Sequence, residues 1–200
     1  MQSSLKANLR RAIPVALAAL VLAACSAAPA RSPDTHYDLD VAMAPVGFGS
    51  EVNIALRRVD IRGLQSGRSL ITVTGTDPVR FQEQRGHFWH VATPTLIERA
   101  FLKAMNDASS DAAFGTSESF DKVDYRLAIT ITRFAYMPGG DAMVNFDATV
   151  TAGGSDVVLA RSYWGRAPLE ADTPAAGVTA LGAALSEAMT VFAGELADAI

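Results

Sequence analysis

His87 and His90 are the side chains whose types and spacing could most readily hold a metal ion. Two histidines three positions apart share one face of a helix and can bind the same ion. This pair precedes the helix start predicted at Thr93, however, so we expect it to lie in an extended segment or a loop. The surrounding sequence offers no third ligand, and we therefore predict no metal ion and no cofactor. We expect the intervening Phe88 and Trp89 to pack inward or to contact a partner.

The glycine pairs and the scattered acids give no catalytic pattern. Gly139-Gly140 and Gly153-Gly154 lie between alternating apolar segments, where they predict hairpin turns rather than a phosphate-binding loop before a helix. The acidic residues at positions 111, 118, 121 and 124 are typical of a solvated face. The sequence also lacks the nucleophile-elbow, P-loop and zinc-protease motifs. It therefore predicts no catalytic residue.

Cys25 is the single cysteine of the 200 residues, which excludes a disulfide scaffold and a cysteine-rich zinc site. It follows an apolar run, residues 12–24, that is preceded by three basic residues and no acidic residue. A membrane-spanning helix needs about 20 apolar residues, so this shorter run predicts a secretory signal peptide that is removed. A plain signal peptide with a chance cysteine is the alternative to the more specific interpretation that follows.

The segment Leu22-Ala23-Ala24-Cys25 resembles the lipobox of bacterial lipoproteins. The resemblance implies cleavage between Ala24 and Cys25 and fatty acylation of Cys25. Because two or three acyl chains on one residue anchor a protein stably, the mature chain would be tethered to a membrane. Ser26 follows the cysteine where aspartate would favour retention in the inner membrane, so the resemblance favours the outer membrane, facing the periplasm.

Charge and composition restrict the partners of the mature chain. Without residues 1–24, the chain keeps 14 basic and 21 acidic residues, a net charge of −7. This acidic balance, without a cluster of lysines or arginines, argues against binding to nucleic acid. We divide the chain into a signal peptide (residues 1–24), a lipidated cysteine with a flexible tether (25–35) and a single domain (36–200).

Apolar periodicity predicts an α/β or α+β fold, a layered sandwich with a mixed sheet. Strands are predicted at 37–43, at 52–61 with a break near 57–58, at 69–74 and, briefly, at 79–81. Residues 123–166 predict a three-stranded antiparallel meander. Phe134 and Met137 lie near its first hairpin, and they could contact a partner or lipid or simply pack at the edge.

Two helices complete the predicted fold and pack on the sheet. Each starts at a Thr-Pro pair, Thr93-Pro94 and Thr173-Pro174, in which threonine can cap the helix and proline suits its first turn. Apolar residues then recur at helical spacing along one face of each helix. We expect residues 107–116, between the first helix and the meander, to form a loop.

The whole mature chain resembles the ABC-type transport auxiliary lipoproteins, the PqiC-like group. The residues that carry the resemblance are spread along the chain in a characteristic order: Cys25, Tyr37-x-Leu39, Ile54 to Val59, Phe81, Trp89 with Pro94 and Leu96, Tyr125-Arg126-Leu127, and Ala176 to Ser186. The resemblance implies a non-catalytic envelope lipoprotein. Its partners would be an MCE-family substrate-binding protein and an ABC permease with its ATPase, and a homo-oligomer stays open.

Such systems move phospholipid or other hydrophobic molecules between membranes and maintain the envelope. A structural lipoprotein of another envelope assembly or secretion machine is the main alternative function, and a tethered enzyme is a third. Any surface that contacts lipid must be shielded from water, because a large exposed apolar patch favours aggregation. We expect that surface on the meander face opposite the helices or in a groove between subunits.

Overall fold

A mixed nine-stranded sheet and two α-helices make up the part of the chain that the computed structural model describes, residues 33–61, 63–75 and 77–200. This α+β architecture confirms the predicted fold class. Cys25, Ala24 and the rest of the predicted leader lie outside the described residues. The elements, in chain order, are β1 (Thr35–Tyr37), β2 (Val52–Leu56), β3 (Asp60–Ile61), β4 (Ser69–Thr74), β5 (Arg80–Trp89), α1 (Thr93–Ala108), β6 (Ala112–Gly115), β7 (Tyr125–Tyr136), β8 (Asp141–Ala152), β9 (Asp156–Pro168) and α2 (Pro174–Ala199).

Strand β7 is the centre of the sheet. On one side it pairs antiparallel with β8, which pairs antiparallel with β9, so the predicted meander is confirmed. On its other side, β2, β3 and β4 pair with it one after another, all parallel. The sheet then forks, because β6 pairs parallel with β2 while β5 pairs antiparallel with β4 and parallel with β1.

Alternation along the meander produces the core face of the sheet. Leu127, Ile129 and Ile131 in β7 are each at most 3% exposed, as the period-two pattern predicts. They pack with the apolar stripe of α2, whose Phe192 ring lies 5.3 Å from that of Tyr163 and 6.0 Å from that of Phe146. Burying a large apolar side chain contributes roughly 1.5–3 kcal/mol, so this layer supplies much of the stability.

Small residues bring α2 close to its neighbours. A Cβ atom added to Gly165 of β9 would lie 1.9 Å from the carbonyl oxygen of Ala184, and one added to Gly182 would lie 2.3 Å from that of Asp40. Among the described residues, α2 is also the one helix long and apolar enough to cross a membrane. Its apolar stripe is nevertheless buried against the sheet, and α2 is the core helix of this fold.

Thr173 caps α2 as predicted, because its hydroxyl accepts a hydrogen bond from the Ala176 amide at 3.2 Å. The expected cap of α1 was wrong. Helix α1 begins after Ala92, and the Thr93 hydroxyl instead donates a hydrogen bond to the carbonyl of Gly67 at 2.7 Å. Thr93 is 1% exposed, so its hydroxyl fastens the start of α1 to the loop before β4.

Several predicted strand boundaries also need correction. The first strand ends at Tyr37 rather than Met43, and the short return strand at 79–81 is part of a strand of 10 residues, β5. The expected loop at 107–116 contains β6, which pairs with β2. The break at Arg57-Arg58 is confirmed, since β2 ends at Leu56 and β3 begins at Asp60.

Candidate functional site

The histidine pair is bound to strand β1 and its following residues. His87 lies on β5, where its Nδ1 atom is 2.9 Å from the hydroxyl of Tyr37 and the two rings stack at 5.8 Å. His90 follows the strand, with its Nδ1 atom 3.4 Å from the carbonyl oxygen of Tyr37 and 3.4 Å from a carboxylate oxygen of Asp38. Each ring thus holds β1 against β5. Within residues 33–61, 63–75 and 77–200, no group of three or more His, Cys, Asp or Glu side chains could hold a metal ion.

Two of the four predicted contact residues belong to the core. Trp89 is 1% exposed and Phe134 is 2% exposed, and their rings pack against each other at 5.7 Å. Their side chains are therefore not available on the surface. Phe88 is half-buried beside His36, with ring centroids 5.9 Å apart, and Met137 is half-buried against a small apolar cluster. Only Phe88 and Met137 of this set keep accessible area among the described residues.

Two acids of the predicted solvated face hold loops in place. The Asp111 carboxylate accepts hydrogen bonds from the amides of Phe48 and Gly49, each at 3.0 Å. The bond from Phe48 is the main reason that the pKa of Asp111 lies below its usual range. Asp124 likewise accepts from Lys122 at 2.7 Å and from the Asn53 amide at 3.0 Å, and both bonds lower its pKa. These carboxylates act as structural acceptors, since backbone amides and, at Asp124, the Lys122 ammonium already donate to their oxygens.

The most exposed large apolar side chain in the described part of the chain is that of Trp164, at 67%. It lies on β9, which within the described residues pairs only with β8 and so forms an edge of the sheet. Val191 of α2, 51% exposed, lines the same groove of about 290 Å³ between β9 and the helix. We call this feature the Trp164 groove; its lining residues are Arg161, Ser162, Tyr163, Trp164, Glu187, Val191 and Glu195.

Hydrogen bonds fix the polar walls of the Trp164 groove. Glu195 accepts from Arg161 at 2.9 Å and from the hydroxyl of Tyr163 at 2.8 Å. Burial, followed by this bond to Glu195, raises the pKa of Tyr163. Glu187 accepts from the backbone amide of Arg166 at 2.7 Å and so occupies a donor of the edge strand. Because Tyr163 and Gly165 face α2, the Trp164 side chain points to the other face of β9 and borders the groove from the strand edge. This edge thus offers an exposed aromatic side chain beside polar groups that already have partners, which suits a contact with another protein better than catalysis.

The alternation of residues along β9 indicates from the sequence that Trp164 is exposed. Tyr163 faces the core, so its neighbour Trp164 must point to the opposite face of β9. A large aromatic residue on a solvent-facing strand position is a candidate contact residue. Val157 has the same strand parity as Leu159 and Tyr163, yet it is 60% exposed because the β8–β9 register shifts beside it.

The solved structures that resemble this fold include the two described next. A Xanthomonas campestris protein of family DUF330 has a TM-score of 0.69 and 20% sequence identity, covering 82% of this chain and 96% of its own. A second, uncharacterized protein has a TM-score of 0.66 and 12% identity, covering 84% of this chain and 96% of its own. At these identities the likeness concerns the fold alone. A search of curated proteins found no match.

The sequence itself matches the model of a protein family from residue 37 to residue 193. This match spans the elements from the end of β1 to within the last turns of α2, so it includes both helices and the whole meander. It therefore agrees with the order of motifs by which the sequence resembled this group. The chain belongs to the family of ABC-type transport auxiliary lipoprotein components.

Proposed function

We propose that this protein is a non-catalytic lipoprotein of the bacterial envelope that docks to an ABC transport system with an MCE-family substrate-binding protein. The observation that carries the proposal is the family match over residues 37–193, which includes nearly all of the described fold. The system would move phospholipid or other hydrophobic molecules between membranes and so maintain the envelope. The protein's own part is to hold the partner at the membrane surface.

The proposed anchor is a lipidated Cys25 at the outer membrane, with the domain in the periplasm. Its support is the lipobox sequence Leu22-Ala23-Ala24-Cys25 behind a short basic and apolar leader. Two or three acyl chains bury enough methylene groups, at about 0.8 kcal/mol each, for stable attachment. Ser26 supports the outer over the inner membrane.

The proposed docking surface for the MCE-family protein is the Trp164 groove. Tryptophan is among the residues that contribute most to protein interfaces when a partner covers it. Trp164 lies on an edge strand, where a partner can pair with the backbone groups that Glu187 leaves free. Phe88 and Met137, the accessible members of the predicted contact set, lie near the β4–β5 part of the sheet and would form a separate contact.

A photocrosslinking experiment in cells tests the partner and the surface together. A benzophenone amino acid replaces Trp164 in one strain and Val157 in another, because both side chains are highly exposed on β9. We expect the probe at 164 to capture an MCE-family protein, identified by mass spectrometry, and the probe at 157 to capture little of it. Deletion of the gene should increase sensitivity to detergent.

The possible outcomes test the proposed function and the proposed docking surface separately. An MCE-family protein that co-purifies with the full protein but crosslinks equally from both positions would refute the groove and keep the function. Absence of that protein from pull-downs, together with an intact envelope after deletion, would contradict the proposed function. Capture of a component of a secretion machine instead would support the alternative role in another envelope assembly.

A further inference from the structure

One end of the sheet collects three features that are far apart in sequence. Strand β4 runs parallel to β7, and Thr72 pairs with Tyr136, so both strands finish at this end. The β4–β5 connection and the β7–β8 turn therefore lie there together. Because β5 runs back from this end and β1 is parallel to β5, the chain also enters β1 from the same side. We call this part of the molecule, formed by residues 75, 77–81 and 137–140, the tether end.

Two large apolar side chains are exposed at the tether end. Val79 is 44% exposed and Phe81 is 39% exposed. Phe81 stands opposite Val73, which forms a buried cluster with Ile71 and Ala135. This cluster lies apart from the main core, and the half-buried Met137 of the tether end packs against it.

The charges beside these residues are not basic. Arg80 and Arg85 stand on β5 with Glu83, and Asp77 lies in the preceding connection. The amide of Leu169 donates a hydrogen bond to the carbonyl of Gly140, which brings Glu170 and Asp172 to the same end. This balance does not attract anionic lipid, so an attraction to this end must rest on its apolar side chains. Such a surface suits the interfacial region of a bilayer, including one made of zwitterionic lipid.

The length of chain before β1 restricts how far this end can lie from the proposed anchor. Ten residue steps separate Cys25 from Thr35, and they span at most about 36 Å. Thr35 pairs with His87. Strand β5 bulges against β4, because Phe88 pairs with Ser69 and Arg80 with Thr74, so His87 lies only about 13 Å from Arg80 along the sheet. An anchor reached in that direction leaves at most about 23 Å between Arg80 and the bilayer surface.

We propose that the tether end is a membrane-contacting surface and that Val79 and Phe81 enter the lipid interface. The inference rests on the proposed lipidation of Cys25, which would hold a bilayer within reach of this end. It adds a second, direct attachment that would orient the domain, so that the opposite end of the sheet points into the periplasm. Val157 lies at that opposite end, because its partner Thr151 pairs with Arg126 near the start of β7.

Tryptophan quenching measures this contact directly. The mature chain, residues 25–200, is joined through its single cysteine to a maleimide phospholipid in phosphatidylcholine vesicles with brominated acyl chains. Trp164→Phe removes the exposed native tryptophan, and the buried Trp89 stays as a constant background. Phe81→Trp is then the probe, and Val157→Trp is the control on an exposed strand position at the opposite end of the sheet.

We expect bromolipid to quench the added emission of Phe81→Trp about twofold and to leave that of Val157→Trp unchanged, with little effect of salt. The proposal would be overturned if bromolipid quenched the added emission of Phe81→Trp no more than that of Val157→Trp. It would also be overturned if quenching of Phe81→Trp required an added MCE-family protein. If Phe81→Trp unfolds, Val79→Trp carries the same test. The maleimide phospholipid replaces the natural acyl chains, so a negative result refutes the membrane contact and says nothing about lipidation of Cys25. The mass of the mature protein tests lipidation separately.

Discussion

Replacing Gly165 by alanine should force helix α2 away from the sheet. The added Cβ atom would lie 1.9 Å from the carbonyl oxygen of Ala184 and 3.0 Å from the amide nitrogen of Ala188. A carbon and an oxygen in contact are about 3.3 Å apart, so the helix backbone must retreat by about 1.4 Å. Both clashing groups belong to backbone, and no rotamer change can relieve them.

The retreat carries buried side chains of α2 with it. Leu185, Met189 and Phe192 are each 0% exposed, and a gap of 0.5–1 Å already forfeits roughly a quarter to a half of a dispersion contact. Overpacking by one methyl group costs about 1–3 kcal/mol, and we place Gly165→Ala at the upper limit, about 3 kcal/mol. The free energy of unfolding in urea measures this loss.

Gly194→Ala is the matched control in the same helix. Nothing lies within 4 Å of its added Cβ, so the variant should gain up to about 1 kcal/mol from helix propensity. A Gly165→Ala protein within about 1 kcal/mol of the wild type, with an unchanged dependence on urea, would refute the close packing of α2 on β9.

Two further predictions concern pH. Backbone hydrogen bonds lower the pKa of Asp111 below its unfolded value of about 3.9, so its stabilisation is present above that pH and disappears as the pH falls through the folded pKa. Asp111→Asn should therefore lower the Tm near pH 7 and flatten its acid dependence, and an unchanged acid profile would contradict this. Burial raises the pKa of Tyr136 to about 12, so its stabilisation is present below about pH 10 and is lost as the pH rises through 12. Tyr136→Phe should leave the phenolate absorbance at about pH 11 nearly unchanged, and a drop by one tyrosine's share would show that Tyr136 titrates normally.

The meander and α2 could be predicted because their signals are local. Residues 125–131 and 142–150 alternate with period two, and each alternation decides which side chains face the core. The stripe of α2 repeats at helical spacing, and Thr173 caps its start. Neither signal depends on knowing the partner element.

Other elements form only because of distant partners. The residues of β6, Ala-Ala-Phe-Gly, are too short and too weakly alternating to indicate a strand, yet β2 supplies a parallel partner for all four. The polar first half of β5 is a strand because β4 pairs with it from Thr74 inward. Leu39 and Val41 are buried although the chain there is not a strand. Their alternation therefore predicted their burial correctly and their secondary structure wrongly.

Whether a candidate contact residue lies in the core or on the surface also depends on distant partner strands. Trp89 and Phe134 are aromatic residues that the sequence alone could assign to a core or to a contact, and the pairing of β4 with both β5 and β7 puts them together in the core. The alternation that puts Leu159 and Tyr163 on the inner face of β9 puts Trp164 on the outer face, where it is exposed.

The account depends most on attachment of the domain to a membrane through Cys25. Intact-protein mass spectrometry of the chain purified from its own cells tests this attachment directly. The account predicts a polypeptide that begins at Cys25 and carries a diacylglyceryl group and an acylated amino terminus. A mature chain with a free thiol at Cys25, or a chain that retains residues 1–24, would contradict it.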